Sequence, residues 1–163
     1  MTTITSTGKT QSIMTENDGE VDSPIPSQSR EQALELLSLT VQADRVVARL
    51  RVGQSRFRRM TPLRAKYLAE KFPTLAIHAC VNGRGDTFGA VMEHTSVPHM
   101  FEHLVIELQT RASGGSDAVF VGTSEWEDEA AGIARVQVSF TDDLQALRAF
   151  KDATRILNIA VLL

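Results

Sequence analysis

His99, Glu102 and His103 stand at H-x-x-E-H spacing inside the segment from Ser96 to Arg111, whose apolar residues recur at helical intervals. On a helix, residues four apart differ by about 40° around the axis, so both imidazoles share one face and can close on a single ion. Glu102 lies beside them, where a carboxylate can take a proton from a water. The order of the letters is the inverted form of the zinc-peptidase helix motif, and the chemistry it suggests is metal-assisted hydrolysis.

That spacing works only on a helix, and the segment carries the marks of one. Phe101, Leu104, Val105 and Leu108 form an apolar arc, while His99, Glu102, His103, Ile106 and Glu107 fall opposite. This predicts a stripe facing the core and a ligand face left free. Thr95 or Ser96 can cap the first turn, and Pro98 sits where its missing N–H costs nothing. Gly114-Gly115 follow the last periodic residue as a stop. The plain alternative is an ordinary solvated helix face that binds no ion.

A tetrahedral zinc site with an open position needs a third protein ligand. Cys80 is the first candidate because a soft thiolate suits zinc; His78 is the next, as a ligand or as a partner that orients one. Glu107 and the cluster Glu125, Glu127 and Glu129 are further donors. A cysteine packing as a small hydrophobe and a structural histidine compete with these roles.

The elements that would position these groups are mixed without regular alternation. Residues 1–31 are polar, without periodicity, and read as a disordered tail, leaving 32–163 as a single domain. Leu37, Leu39 and Val41, then Val46, Ala48, Leu50 and Val52, alternate as two strands of a hairpin turning at Gln42 to Asp44. A helix across Gln32 to Leu39 is the competing reading of its start. Thr61-Pro62 opens a helix that Pro73 ends, and Leu75 to Val81 reads as a strand bearing His78 and Cys80. A loop holding Gly83, Gly85 and Gly89 leads into the motif helix. Ala118 to Val121 and Ile133 to Phe140 read as strands around an acidic loop, Glu125 to Glu129, and Asp142 or Asp143 opens a last helix reaching about Leu157. The expected fold is α+β, two layers, with a mostly antiparallel sheet packed against about three helices.

Composition narrows the function classes. At 163 residues with 42% hydrophobic content, the chain can bury one core and not two. Its formal charge of −3 and few aromatics speak against nucleic acid as a partner, and no stretch has the length of a membrane span or the plan of a signal peptide. The lone cysteine, Cys80, excludes an internal disulfide and fits a reducing, cytoplasmic compartment. A homo-oligomer is compatible with all of this.

His78-Ala79-Cys80, the glycine-rich loop with Asp86-Thr87-Phe88-Gly89, then Thr95 and the run from His99 to Gln109 resemble the amino-terminal domain of cyanophycin synthetases. The similarity runs from about Leu36 to Asn158, through Gly122-Thr123-Ser124 and the last helix. The resemblance implies a domain that elsewhere precedes an ATP-grasp ligase and a Mur-ligase-like domain. It also implies a cryptic metallopeptidase able to cut the aspartate–arginine polymer, with Zn2+ as cofactor and a peptide or cyanophycin-like polymer as partner. The sequence holds neither ligase domain, and Gly83-Arg84-Gly85 matches no P-loop or dinucleotide fingerprint, so no ATP or nucleotide site is expected.

Other residues offer weaker signals. Arg58 and Arg59, within a basic run from Arg45 to Lys66, could hold carboxylates of an acidic substrate through paired N–H donors, against the plainer reading of a solvated strand face. Thr123 could present backbone N–H groups to a substrate carboxylate, or mark a turn. Glu125 to Glu129 with Trp126 could form a lid, or a simple acidic surface loop. Two functions are therefore expected to compete: a zinc-dependent hydrolase acting on a peptide or isopeptide bond, and a non-catalytic module that binds a polymer or a partner.

Overall fold

The computed structural model describes residues 32–114 and 117–163, so the reading of 1–31 as a tail lies outside the described residues. Strands β1 (Leu34–Val41) and β2 (Arg45–Val52) form the hairpin, followed by helix α1 (Pro62–Lys71) and helix α2 (Val97–Ala112). Strands β3 (Gly122–Asp128) and β4 (Ile133–Ser139) come next, and helix α3 (Asp143–Ala160) closes the order. The four strands make one antiparallel sheet in the order β1-β2-β4-β3. The fold is α+β, as the mixture of periodicities implies. None of the described helices is long and apolar enough to cross a membrane.

Alternation assigns the two faces of the sheet. Val46, Ala48, Leu50 and Val52 on β2, and Ala134, Val136 and Val138 on β4, are buried and meet in register as Val46–Val138, Ala48–Val136 and Leu50–Ala134. Against this face α2 packs on β3 and β4, and α3 packs on β1 and β2. The opposite face carries charge: Arg49 pairs with Glu127 at 2.6 Å and Arg51 with Glu35 at 3.0 Å. The strand part of the basic run is therefore an exposed face answered by acids, worth little individually to stability.

Each helix begins where its cap dictates. Thr61 Oγ1 accepts from Arg64 N ahead of Pro62, Ser96 Oγ accepts from His99 N, and Asp142 Oδ1 accepts from Gln145 N. Asn158 ties α3 to the edge strand, accepting from Leu34 N at 2.9 Å and donating to Leu34 O at 2.7 Å.

Two expected strands differ. Pro73–Ile77 is a 3-10 turn, and of the expected strand Leu75 to Val81 only Ala79 bridges, to Thr87. Pro73 cannot donate a ladder bond, and Leu75 alone is buried while Ile77 and Val81 face solvent. The strand expected at Ala118 to Val121 lies later, at Gly122–Asp128, so most of the supposed acidic loop is strand. Its acids occupy the open face, where Glu127 meets Arg49 and Glu125 approaches Arg135 at 3.9 Å. A lid formed by Glu125 to Glu129 is thereby excluded, and Trp126 packs half-buried against the core.

The turn from β3 to β4 depends on Gly132, whose φ of 72° is left-handed and whose carbonyl accepts from Val52 N at 2.8 Å. A Cβ there would run into the Val52 carbonyl. Gly132→Ala is expected to cost roughly 2 kcal/mol or more in urea unfolding; an unchanged midpoint would contradict this account of the turn.

Candidate functional site

Helix α2 was expected to leave its ligand face free; that face is largely covered, and its His99, Glu102 and His103 open onto a cavity. Glu102, His103, Glu107 and Gln109 are buried alongside Met100, Phe101, Leu104 and Val105, so the helix is covered on both sides. The covering comes from β3, β4 and α3, and from the Pro73–Ile77 turn with the loop behind it. Buried polar groups need partners. Ser124 donates to Glu102 Oε2 at 2.7 Å, and Gln109 Nε2 donates to Ser139 O at 3.1 Å.

The His78-Ala79-Cys80 segment is extended and antiparallel to Asp86–Phe88: Phe88 N donates to His78 O at 2.9 Å and Cys80 N to Asp86 O at 3.1 Å. Asn82 holds the connecting loop closed, with Oδ1 accepting from Arg84 N and Gly85 N. In extended chain, residues two apart share a side. His78 and Cys80 therefore both reach α2, the first at His103 and the second at His99.

Cys80, His99 and His103 form the cluster that this arrangement builds, with one ligand atom from each lying within 4.8 Å of the others. Cys80 Sγ lies 3.4 Å from His99 Nε2, close to the separation of about 3.5 Å between neighbouring ligands of a tetrahedral zinc ion. Thr95 Oγ1 holds His99 Nδ1 at 2.7 Å, which leaves Nε2 for the cluster. Phe88 stacks on His103 with ring centroids 3.9 Å apart and stands edge-on to His99. One sulfur and two imidazole nitrogens are a donor set that could hold a metal ion and leave a position open.

A cavity of about 710 Å³ opens onto the cluster and onto Glu102. Its remaining wall is largely apolar, including Val81, Ile106, Phe120 and Val121. Gly122 is required where β3 passes Glu102, because a Cβ would fall 2.6 Å from Glu102 Cγ. Burial sets the electrostatics. It depresses the His103 pKa to about 3, with neighbouring His99 and His78 adding to the effect, and it also lowers that of His99. Burial raises the Glu102 carboxyl, partly opposed by the Ser124 bond. Both imidazoles are thus neutral at pH 7, the form that binds metal.

His78 sits behind the cluster rather than in it, with Nδ1 3.4 Å from His103 Nδ1 and Nε2 2.8 Å from Glu107 Oε2. Glu107 also accepts from Thr74 and Arg111. Glu125 and Glu127 face the arginines of the sheet. Arg58 and Arg59 are not brought to the cavity wall: their guanidinium groups donate to Ala130 O and His94 O. Thr123 borders the cavity but is in register with Gln137, on the sheet face away from α2. Sequence reasoning did not anticipate Phe88, Ser124, or Thr95 as a partner of His99. The aromatic within a glycine-rich loop and the threonine four residues before His99 were their only signals.

Fold and site together define an α+β domain with a Cys-His-His cluster bordering a cavity. A family model described as the cyanophycin synthase-like N-terminal domain matches residues 55–161, and the chain belongs to that family. The comparison with curated proteins returns no match.

With His103 and His99 depressed in the folded state, the unfolded chain binds more protons below its own histidine range. Their stabilising contribution is therefore complete above about pH 6.5 and is lost as pH falls toward 3. Glu102, raised by burial, acts in the opposite sense. The urea midpoint of metal-free protein is expected to fall between pH 7.5 and 5.5, and to fall less in His103→Gln. A change with pH as large in His103→Gln as in wild type would refute the neutral, buried state of His103.

Proposed function

We propose that the chain is a zinc-dependent hydrolase acting on a peptide or isopeptide bond, with cyanophycin or related aspartyl-arginine material as its substrate class. The observation that carries this reading is that Cys80, His99, His103 and Glu102 all border one cavity. Family membership adds the link to cyanophycin metabolism. Cys80, His99 and His103 would hold the ion, which when bound supplies a Lewis acid for the scissile carbonyl and a water whose pKa is lowered to about 7.

The rest is done by the protein's own groups. Ser124 fixes Oε2 of Glu102, so Oε1 remains to take a proton from the attacking water and pass it to the leaving amine. Gly122 leaves room for that carboxylate. The cavity is open enough for a polymer segment to reach Glu102, and its apolar side chains, Val81 and Val121 among them, offer contact to the non-polar parts of a substrate.

Glu102→Gln is expected to retain about one zinc per chain and to lose roughly 100-fold or more of its turnover on aspartyl-arginine peptides. Replacing Cys80, His99 or His103 by Ala should remove the metal, as read by elemental analysis. Turnover in Glu102→Gln within a few-fold of wild type would sink the assignment. Wild type that stays free of zinc when zinc is supplied, yet binds the polymer, would instead establish a non-catalytic binding module.

A further inference from the structure

We propose that Glu107 and His78 are positioning residues: a buried carboxylate that, acting through one imidazole, fixes His103 in the tautomer whose Nε2 carries the free lone pair. The inference rests on the metal reading of Cys80, His99 and His103 and extends it to two residues outside the cluster.

The argument follows the protons. Glu107 Oε1 accepts from Thr74 Oγ1 at 2.6 Å and from Arg111 Nε at 2.7 Å, and Oε2 lies 2.8 Å from His78 Nε2. A carboxylate that already accepts from a guanidinium and a hydroxyl is held ionised, and an ionised carboxylate only accepts. His78 Nε2 must therefore carry the hydrogen. In the relay that ring hydrogen is the single one, so His78 Nδ1 is bare and is an acceptor. It faces His103 Nδ1 at 3.4 Å, at the long end of hydrogen-bond range. His103 Nδ1 must then be the donor, which leaves Nε2 unprotonated.

At His99 a contact fixes which nitrogen faces the cluster. Thr95 Oγ1 occupies its Nδ1 at 2.7 Å, and its Nε2 faces Cys80. A hydroxyl both donates and accepts, so this contact orients the ring without choosing its tautomer. The stacked Phe88 ring, fully buried, keeps His103 from turning out of this arrangement. The device is expensive unless it has a use, because Glu107 is 1% exposed and a lone buried carboxylate is costly. Its three donors offset that cost, and one of the three is His78.

The amides of Asn and Gln separate the two halves of the relay. Asn at position 78 keeps an acceptor near the Nδ1 position, whereas Gln keeps a donor near the Nε2 position and loses the acceptor for His103. In zinc competition with a chromophoric chelator, His78→Asn is expected to bind within about threefold of wild type. His78→Gln and Glu107→Gln should bind roughly 10- to 100-fold more weakly, with thermal midpoints reported alongside to show that each protein is folded. Equal affinity in His78→Asn and His78→Gln would overturn the proposal. The second readout is ring-nitrogen NMR of metal-free wild type at pH 7.5, with His103 identified by its loss in His103→Gln. A hydrogen on Nδ1 of His103 supports the relay. A hydrogen on Nε2, as a doubly protonated His78 would impose, overturns it. Failure of the relay alone would appear as wild type that loads zinc with the wrong tautomer or with indifferent variants. Failure of the metal reading would appear as wild type that takes up no zinc whatever its tautomer.

Discussion

Helix α2 is buried on both sides although seven of its 16 residues are polar, and this constraint organises the molecule. Each of its buried polar side chains must find a partner, since an unsatisfied one costs about 1–3 kcal/mol. The partners come from different parts of the chain: Ser124 from β3, Ser139 from β4, and Thr74 and His78 from the stretch after α1. These contacts fix how the surrounding elements sit against α2. The cluster of Cys80, His99 and His103 exists because the same packing that satisfies Glu107 brings the His78–Cys80 segment against the first turns of the helix.

The division of the chain supports this view. Every residue of the cluster, its supports and the cavity wall falls within the matched residues 55–161, whereas the β1–β2 hairpin lies before them. The hairpin completes the sheet by pairing β2 with β4 and receives α3 on its buried face, but it contributes nothing to the cavity wall. What the family match covers is therefore the part that builds the site, and the hairpin is a backing layer.

Much of this was legible in the residues. The caps at Thr61, Ser96 and Asp142, the prolines that follow the first two, and the alternation of β1, β2 and β4 located the helices and three of the strands. They are local signals with local causes. Strand β3 was misplaced because its sequence, GTSEWED, has no apolar alternation. Its outward residues include acids answered by arginines on strands β2 and β4, remote in sequence, and of its inward ones Trp126 packs on the core while Gly122 and Ser124 are matched to Glu102. The Leu75–Val81 run misled in the opposite direction. Its apolar residues look like a strand, yet only Leu75 is wholly buried. The H-x-x-E-H spacing identified the helix face correctly but implied a solvated one; that it is covered depends on contacts from β3 and from residues 74–88, which no local pattern encodes.

Two carboxylates on α2 show how environment divides roles between like groups. Glu102 and Glu107 are five residues apart, about 140° around the helix, so one meets β3 and the cavity while the other meets the turn after α1. Burial raises both, yet the outcomes are opposite: Glu107 ends below the usual carboxylate range because Thr74, Arg111 and His78 all donate to it. Glu102 has Ser124 alone and ends above it. A carboxylate held by three donors is a fixed anion, suited to anchoring other groups and unsuited to exchanging protons. One held by a single hydroxyl at a cavity wall keeps an oxygen for proton transfer. Environments that drive a pair of acids apart in this way are how one scaffold separates a structural charge from a chemical one, and here the separation is set by the number of donors each side of α2 supplies.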